Sequence, residues 1–582
     1  MKPSHKIALR RAQDPAFLHV YFSGIGLDLS AGSYPDSGYA RLFPAIEQLI
    51  AWNVNERDVV HMDDAPADVL DFVHSDCLGR FSNPRQVLNR WLELIKPGGY
   101  LILTVPADSC SEEVAARVAV DRDQACTFTL RRTNAANAAS LGSVNVFDLV
   151  NDTSLVATCE RVCVLREFAE KREDGSGESQ HEAAAYAMEI VLRKQNVPPL
   201  SELLSAIANA ETEPVLLARC RDALRLYPYR LLMYLHLYFV LVRGGHYDQL
   251  EDLWDTAVQR LPNERVPRLY NALTLVALGK LTEGFRRREA LFDGAGWQGR
   301  TTAAPPDYPS WRGESLEGKS IVIWSEFGLG DEIFFFRFAR ILRERHWAAR
   351  VTVVCQAPLV DLFRASGEAA SICCVEDAQQ LPLHDYWVYP HAIPVWAALD
   401  IDHLPDVVPY LPTGVGDAPT LVPATPRALK VGVVFKGAPT HENDASRSLP
   451  SLSCLDPLFA LEGVEFYIMQ KGQGEDEAAD YAVRLHNVHD LGPRLCSFGD
   501  TARLMGIMDL MISVDTSAAN LAGAMGKPLW LMLPMLGDWR WHFEREDSPW
   551  YPSARLFREK GRGWPEVVER MRLSLIELRK AK

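Results

Sequence analysis

Residues 509–533, DLMISVDTSAANLAGAMGKPLWLML, decide the fold of the second half of the chain. The apolar run 509–514 reads as a buried strand, Asp515-Thr516-Ser517 stops it, and a helix follows from Ala518 to Met525. Lys527-Pro528 breaks the helix ahead of a second apolar strand, 529–533. Two largely apolar strands joined through a helix point to a parallel sheet covered on both faces. Asp-Thr-Ser at the helix start presents free amides, hydroxyls and the positive end of the helix dipole. That combination suits a diphosphate without many Lys or Arg residues; the plainer reading is an ordinary helix cap.

The same pattern extends outward. Residues 429–435 (LKVGVVF) form a strand before the polar loop 436–444 (KGAPTHEND), which Arg447-Ser448 closes. Strand 464–470 leads to Lys471-Gly472, and Asp500-Thr501 reads as the N-cap of a helix running to Met508. On the amino side, strand 319–324 breaks into Ser325-Glu326-Phe327-Gly328-Leu329-Gly330-Asp331-Glu332-Ile333, which opens a helix to about Arg345, and 351–355 is the next strand. A strand, a Gly-rich loop and a helix bring loop amides and an acid to the carboxyl edge of a parallel sheet, where such sheets bind ligands.

Residues 309–560 resemble bacterial glycosyltransferases attached to tetratricopeptide repeats, relatives of the lipopolysaccharide heptosyltransferases and, more distantly, of O-GlcNAc transferases. The motifs are Trp311 and Gly313, the Gly328–Glu332 loop, Asn443-Asp444 with Arg447-Ser448, the Asp515 to Pro528 segment, Asp538-Trp539-Arg540-Trp541, Asp547-Ser548-Pro549-Trp550-Tyr551-Pro552 and Arg555-Leu556-Phe557-Arg558. The resemblance implies a GT-B enzyme with an acceptor lobe over 301–420 and a nucleotide-sugar lobe over 421–582. It implies inversion at the anomeric carbon, with Asp331 as general base. It places Lys436, Gln470, Lys471, Asp515, Thr516, Ser517, Asn520 and Arg540 at the donor, with Arg558 as a further cation. It places Gly328, Gly330, Glu332, His441, Asn443, Asp444 and Arg447 in the loops around the acceptor. Trp541, Trp550 and Tyr551 either stack on base or sugar or pack the lobe. One position departs from the pattern: the family usually has His where this chain has Asn520, and Asn can donate a hydrogen bond but carries no proton charge. No DxD-type metal motif stands out, so metal independence is expected.

Residues 197–300 read as helical. Ala223 and Pro228 recur 34 residues later as Ala257 and Pro262, and Gly245 recurs as Gly279. A 34-residue period with small residues where helices cross resembles tetratricopeptide repeats. That implies a groove for a protein acceptor or, equally, a spacer between units.

Residues 1–196 alternate strands and helices. Strand 24–28 runs into a loop with Gly32, 70–75 is a strand, 83–91 an amphipathic helix, and Lys96-Pro97-Gly98-Gly99 a turn before another strand to Pro106. Residues 189–194 read as the last strand of this part, and 172–180 as an exposed polar loop. The block resembles Rossmann-like, S-adenosylmethionine-dependent methyltransferases. This resemblance implies cofactor contacts at Asp28, Ser30, Gly32, Asn55 and Asp71, although Ser30-Ala31-Gly32 replaces the usual glycine triplet. An active methyltransferase and a degenerate scaffold both remain open.

Composition narrows the classes. A net charge of -15 opposes a general nucleic-acid binder. Cys159 and Cys163 have helical spacing but lack a second pair, so free thiols are expected instead of a zinc site. The amino terminus has no apolar h-region and no apolar run reaches membrane-spanning length, which reads as a cytoplasmic multidomain α/β protein. The expectation is an inverting transfer of sugar from a nucleotide sugar to a protein, flagellin among the candidates, or to a glycan precursor. The alternatives are a bifunctional methyltransferase–glycosyltransferase and a non-catalytic adaptor.

Overall fold

The computed structural model describes residues 3–29, 41–52, 67–107, 126–130, 142–165, 187–292, 299–301, 303–404, 407–413 and 427–581. They divide into two compact units: residues 1–240 with 256–264, and residues 241–255 with 265–582.

The first unit is built on strands β1 (Gly24–Asp28), β2 (Ile46–Ala51), β3 (Leu70–Ser75), β4 (Ile95–Pro106), β5 (Cys126–Thr129), β6 (Gly142–Asn145), β7 (Ala157–Leu165) and β8 (Ala187–Lys194). Six of them form a sheet in the order β2-β1-β3-β4-β8-β7, with β8 antiparallel to both of its neighbours. Helix Pro84–Leu94 starts at Asn83, whose side chain accepts from the Gln86 amide, and buries Trp91 against one face. Phe17, Phe22, Phe43 and Phe72 cluster with Ile102 and Val191 on a separate aromatic core.

A buried polar chain crosses this sheet. Asp28 Oδ1 lies 3.0 Å from His74 Nδ1, and His74 Nε2 lies 2.9 Å from Arg11 Nη1. Arg11 also donates to Glu189 at 2.7 Å and to Thr104 at 2.9 Å. Asp28, expected at a cofactor, is thus bonded within the chain. Asp71 is corrected outright. It is the second residue of β3, at the amino end, whereas parallel sheets take ligands at their carboxyl ends. It accepts from the Ile25 amide at 2.8 Å and from Lys96 Nζ at 2.9 Å. Burial raises its carboxyl, but these donors outweigh it and hold it below the usual range. Lys96-Pro97-Gly98-Gly99 is not a turn before β4 but lies inside it. The register slips between Leu70 and Phe72, Gly98 adopts φ 86°, and a Cβ on Gly99 would come 2.5 Å from the Asp71 carbonyl oxygen. Cys159 and Cys163 sit on β7, so their spacing is not helical. Ser30, Gly32, Asn55 and the 172–180 loop lie outside the described residues.

The 34-residue offset has a backbone counterpart. Helices Leu231–Arg243 and Arg265–Ala277 are each followed by a glycine at positive φ, Gly245 at 73° and Gly279 at 87°. His246 and Lys280 donate back to Leu241 and Leu275, closing both helices by the same left-handed cap. Ala223 and Ala257 are fully buried.

The second unit carries two parallel sheets. The first has strands β9 (Ser320–Ile323), β10 (Arg350–Cys355), β11 (Ser371–Cys374) and β12 (Tyr386–Val388), in the order β11-β10-β9-β12. The second has β13 (Leu429–Val434), β14 (Val464–Ile468), β15 (Val488–Asp490), β16 (Leu510–Val514), β17 (Leu529–Leu533) and β18 (Ala554–Arg558), in the order β15-β14-β13-β16-β17-β18. β13, β14, β16 and β17 are almost wholly buried, as runs dominated by apolar residues require, with Lys430 and Glu465 the charged exceptions. The single helix expected to run to Arg345 is two, Leu329–Phe335 and Phe338–Glu344. The helix expected to start at Asp500 begins at Phe498, capped by Ser497, whose hydroxyl accepts from the Asp500 amide. Among the described residues no helix is long and apolar enough to cross a membrane.

Arg11→Met leaves Glu189 buried with less compensation, so denaturant unfolding should show a loss of about 3–5 kcal/mol. Arg11→Met combined with Glu189→Met should cost less than Arg11→Met alone.

Candidate active site

The carboxyl ends of β9 and β16 each turn into a helix, and the two helix starts abut. After β9, Gly328 caps helix Leu329–Phe335, with the Asp331 carboxylate accepting from the Gly328 amide at 3.2 Å. After β16, Thr516 caps helix Ser517–Ala524, its hydroxyl accepting from the Ala519 amide. A Cβ on Gly330 would come 3.4 Å from Asn520 Nδ2 and 3.6 Å from Ser517 Cα. These are ordinary van der Waals distances, so the two helix starts pack against each other there, and Asp331 and Ser517, read separately from the sequence, lie where they meet.

Arg540 binds the two sides together. Its guanidinium hydrogen-bonds Asp331 and reaches Asp538 at 2.8 Å, over the faces of Trp539 and Phe334. Burial alone would raise the Asp331 carboxyl, but Arg540 outweighs it and holds Asp331 below the usual carboxylate range. Asp515 behaves oppositely. Burial and the neighbouring Asp538 push it up to about 6, against Arg540 and Arg447. Arg558 also feels Asp515; burial pulls its guanidinium down to about 10. Arg558 Nη2 donates to the Trp541 and His542 carbonyls at 2.8 and 2.7 Å. Arg558 Nε and Nη1, Arg540 Nε and Arg447 Nε are buried without a hydrogen-bond partner. Arg540 and Arg447 act electrostatically on Asp515, and Asp515 on Arg558, in a chain of net charge -15, while Arg447 Nε lies 3.6 Å from Asp444 Oδ1.

Other expected residues have structural partners. Gln470 accepts from the Phe435 and Lys436 amides, both at 3.1 Å, and donates to the Lys436 and Lys471 carbonyls, so it ties the ends of β13 and β14 together. Lys436 pairs with Glu477 at 2.5 Å, and Lys471 is an exposed cation 3.5 Å from Glu475. Asn520 donates to the Thr516 carbonyl and accepts from the Tyr551 hydroxyl at 2.9 Å. Asp444 is buried and accepts from Ser448 Oγ at 2.7 Å, while His441 and Asn443 are exposed on the preceding turn. Glu332 turns inward instead of toward an acceptor. It accepts from Ser325 Oγ and, at 2.9 Å, from the Gln356 amide, and burial pushes it up to about 7. Trp541, Trp550 and Tyr551 are buried in the core, where Arg337 donates to the Trp550 carbonyl; of the two readings they take lobe packing. Trp311 is buried too, its indole donating to Glu314.

Sequence reading missed His391 and the role of Glu326. β12 pairs with β9, and this places His391, three residues past β12, behind the Asp331 loop. Its Nδ1 lies 2.9 Å from Glu326 Oε2 and its Nε2 3.9 Å from Asp331 Oδ1. Burial, and after it Arg288, keep this imidazole neutral, well below its ordinary pKa. A lone His in Tyr-Pro-His-Ala carries no motif, so only the strand pairing reveals it. Among the described residues no group of three or more His, Cys, Asp or Glu could hold a metal ion.

No family model matches the chain. Protein FlbA of Caulobacter vibrioides is 26% identical over 332 residues, 52% of this chain and 54% of that protein, so the chain spans about half the length of the curated relative it matches. The Escherichia coli ADP-heptose lipopolysaccharide heptosyltransferase II is similar at 13% identity and a TM-score of 0.31, over 45% of this chain and 100% of that one. An O-GlcNAc transferase of Thermobaculum terrenum is similar at 15% identity and a TM-score of 0.25, over 66% and 91%. Likeness at these scores decides neither fold nor activity.

Glu332 gives this site a pH signature. Its folded-state pKa of about 7 exceeds the unfolded value of 4.5, so the folded protein binds more protons between them and stability falls as pH rises through that window. Melting temperatures measured from pH 4.5 to 8 should show this decline in the wild type. Glu332→Gln should flatten it and be the more stable protein at pH 8; parallel curves would contradict the assignment.

Proposed function

We propose that residues 301–582 form an inverting, GT-B-type glycosyltransferase that moves a sugar from a nucleotide-sugar donor to a hydroxyl group. The observation that carries this reading is the meeting of the Asp331 loop with the Thr516-capped helix start, with Arg540 bonded to Asp331 beside it.

The chemistry follows from charge. The first-turn amides of Ser517 and Ala518 have no intrahelical partner and point along the positive end of the helix dipole. With the Thr516 hydroxyl they would hold the donor's diphosphate, and the open guanidinium N–H groups would take up charge as it departs. Asp331, on the facing loop, is ionised at neutral pH and accessible, so it can accept the proton of an acceptor hydroxyl attacking from the opposite side. Asp515 is the counter-charge of Arg447, Arg540 and Arg558 in this scheme, and Gln470 and Asn520 brace the donor loops. The proposed transfer uses no metal.

The acceptor is a protein or glycan-precursor hydroxyl. A surface protein such as flagellin is the first candidate, on the resemblance of residues 197–300 to the tetratricopeptide repeats of repeat-linked enzymes. The first unit serves as a scaffold in this reading, because Asp28 and Asp71 are bonded within it.

The test is transfer and donor hydrolysis with a panel of nucleotide sugars. Asp331→Asn should lower kcat by about 10²–10⁴-fold, the usual worth of a general base, while donor KM stays within threefold. Wild-type turnover in Asp331→Asn would overturn the reading.

A further inference from the structure

Asp331 poses a chemical problem that its surroundings answer. Arg540 holds it ionised, which makes it available as a base but a weak one. A base that must take a proton in the transition state gains from a group that favours its protonated form only then. From the geometry behind Asp331 we infer that His391, held by Glu326, is a positioning residue that receives the hydrogen bond of protonated Asp331. This rests on the glycosyl-transfer reading for its reaction, but not for its geometry.

The tautomer of His391 follows from its partners. Glu326 is wholly buried. Arg300 donates to its Oε1 from Nε at 2.8 Å and approaches it from Nη2 at 2.6 Å. The His391 backbone amide donates to Oε2 at 3.1 Å. The two oxygens of Glu326 receive the Arg300 and His391 amide donors, and a carboxylate oxygen paired with a guanidinium accepts, so the ring contact at 2.9 Å places the proton on Nδ1. Nε2 of the neutral ring then carries the lone pair, and it is this atom that faces Asp331 Oδ1 at 3.9 Å. The ring cannot turn away, since Phe335, Phe327 and Phe285 lie 4.2, 5.2 and 6.3 Å from it. The charged groups facing it are Arg288 from helix Leu281–Ala290, Arg300, Glu326, Asp331 and Arg540. The three cations disfavour an imidazolium, so His391 acts as a neutral acceptor.

The balance of the step is complete. The acceptor oxygen forms its bond to the anomeric carbon, and the bond from that carbon to the phosphate oxygen breaks with its electron pair. The hydroxyl proton moves to Asp331. Asp331 loses its charge as the departing phosphate gains one, so the grip of Arg540 shifts from the first to the second. The new Asp331 O–H turns to His391 Nε2. Arg288 and Phe285 come from helix Leu281–Ala290, and Arg288 Nη1 lies 4.0 Å from Glu326 Oε1, so this helix braces the Glu326–His391 pair.

Carbodiimide labelling of Asp331, followed by peptide mass spectrometry on the full chain at pH 5.5, reads the protonated fraction of this carboxyl without any turnover. His391→Asn keeps a donor toward Glu326 but removes the Nε2 acceptor. Its labelling rate should fall at least threefold, its kcat at least tenfold, and its donor KM should stay within twofold. His391→Gln, whose amide oxygen reaches the place of Nε2, should recover a third or more of both rates. Unchanged or faster labelling in His391→Asn, or no recovery in a folded His391→Gln, would overturn the inference. A wild type that transfers no sugar while labelling still falls in His391→Asn would instead remove the glycosyl-transfer reading and leave the Asp331–His391 coupling standing.

Discussion

The contact between Arg540 and Asp331 is the interaction on which the candidate site depends. It joins a residue from the loop after β17 to one from the loop after β9, and it does so where two helix starts meet. Arg540 is buried and carries three carboxylates in its field, Asp331, Asp538 and Asp515. A guanidinium in that position costs a large desolvation energy unless its partners compensate it. Its partners compensate it: Arg540 holds Asp331 below the usual carboxylate range, while burial and Asp538 raise Asp515 to about 6. In the proposed transfer the donor's phosphates compete with Asp331 for Arg540, which changes that balance directly.

Much of the sheet architecture was legible in the sequence, because buried parallel strands leave runs dominated by apolar residues. The segments 429–434, 464–468, 510–514 and 529–533 are such runs, broken by a charge only at Lys430 and Glu465, and all are strands. Thr516 was legible as a cap because strand, polar triplet and helix follow one another without interruption. The errors lie where side chains, not periodicity, decide. Ser497 outcompetes Asp500 as a cap since its hydroxyl reaches the Asp500 amide. Lys96 to Gly99 has the composition of a turn, yet Gly98 and Gly99 let β4 bulge past Asp71 without leaving the sheet. Asp71 illustrates the same limit: a strand acid looks alike at either end until the direction of the sheet is known.

The candidate site was half legible. Asp331, Thr516 and Ser517 stand out because each follows a strand and opens a helix. His391, Glu326 and the open N–H groups of Arg447 and Arg558 do not stand out, since their importance comes from contacts between segments far apart in the chain. Gln470 and Glu332 were overread for the complementary reason. Polar residues beside a binding loop are as often the braces that shape it, and both have their hydrogen-bonding capacity engaged within the protein.

The most direct test of the account is a structure of the full chain with a nucleoside diphosphate bound. The account predicts phosphate oxygens within hydrogen-bond reach of the Thr516 hydroxyl and the Ser517 amide, with Arg540 turned toward them and away from Asp331. Phosphates bound elsewhere, or at this cleft with the Arg540–Asp331 pair intact and the amides of helix Ser517–Ala524 unengaged, would contradict it.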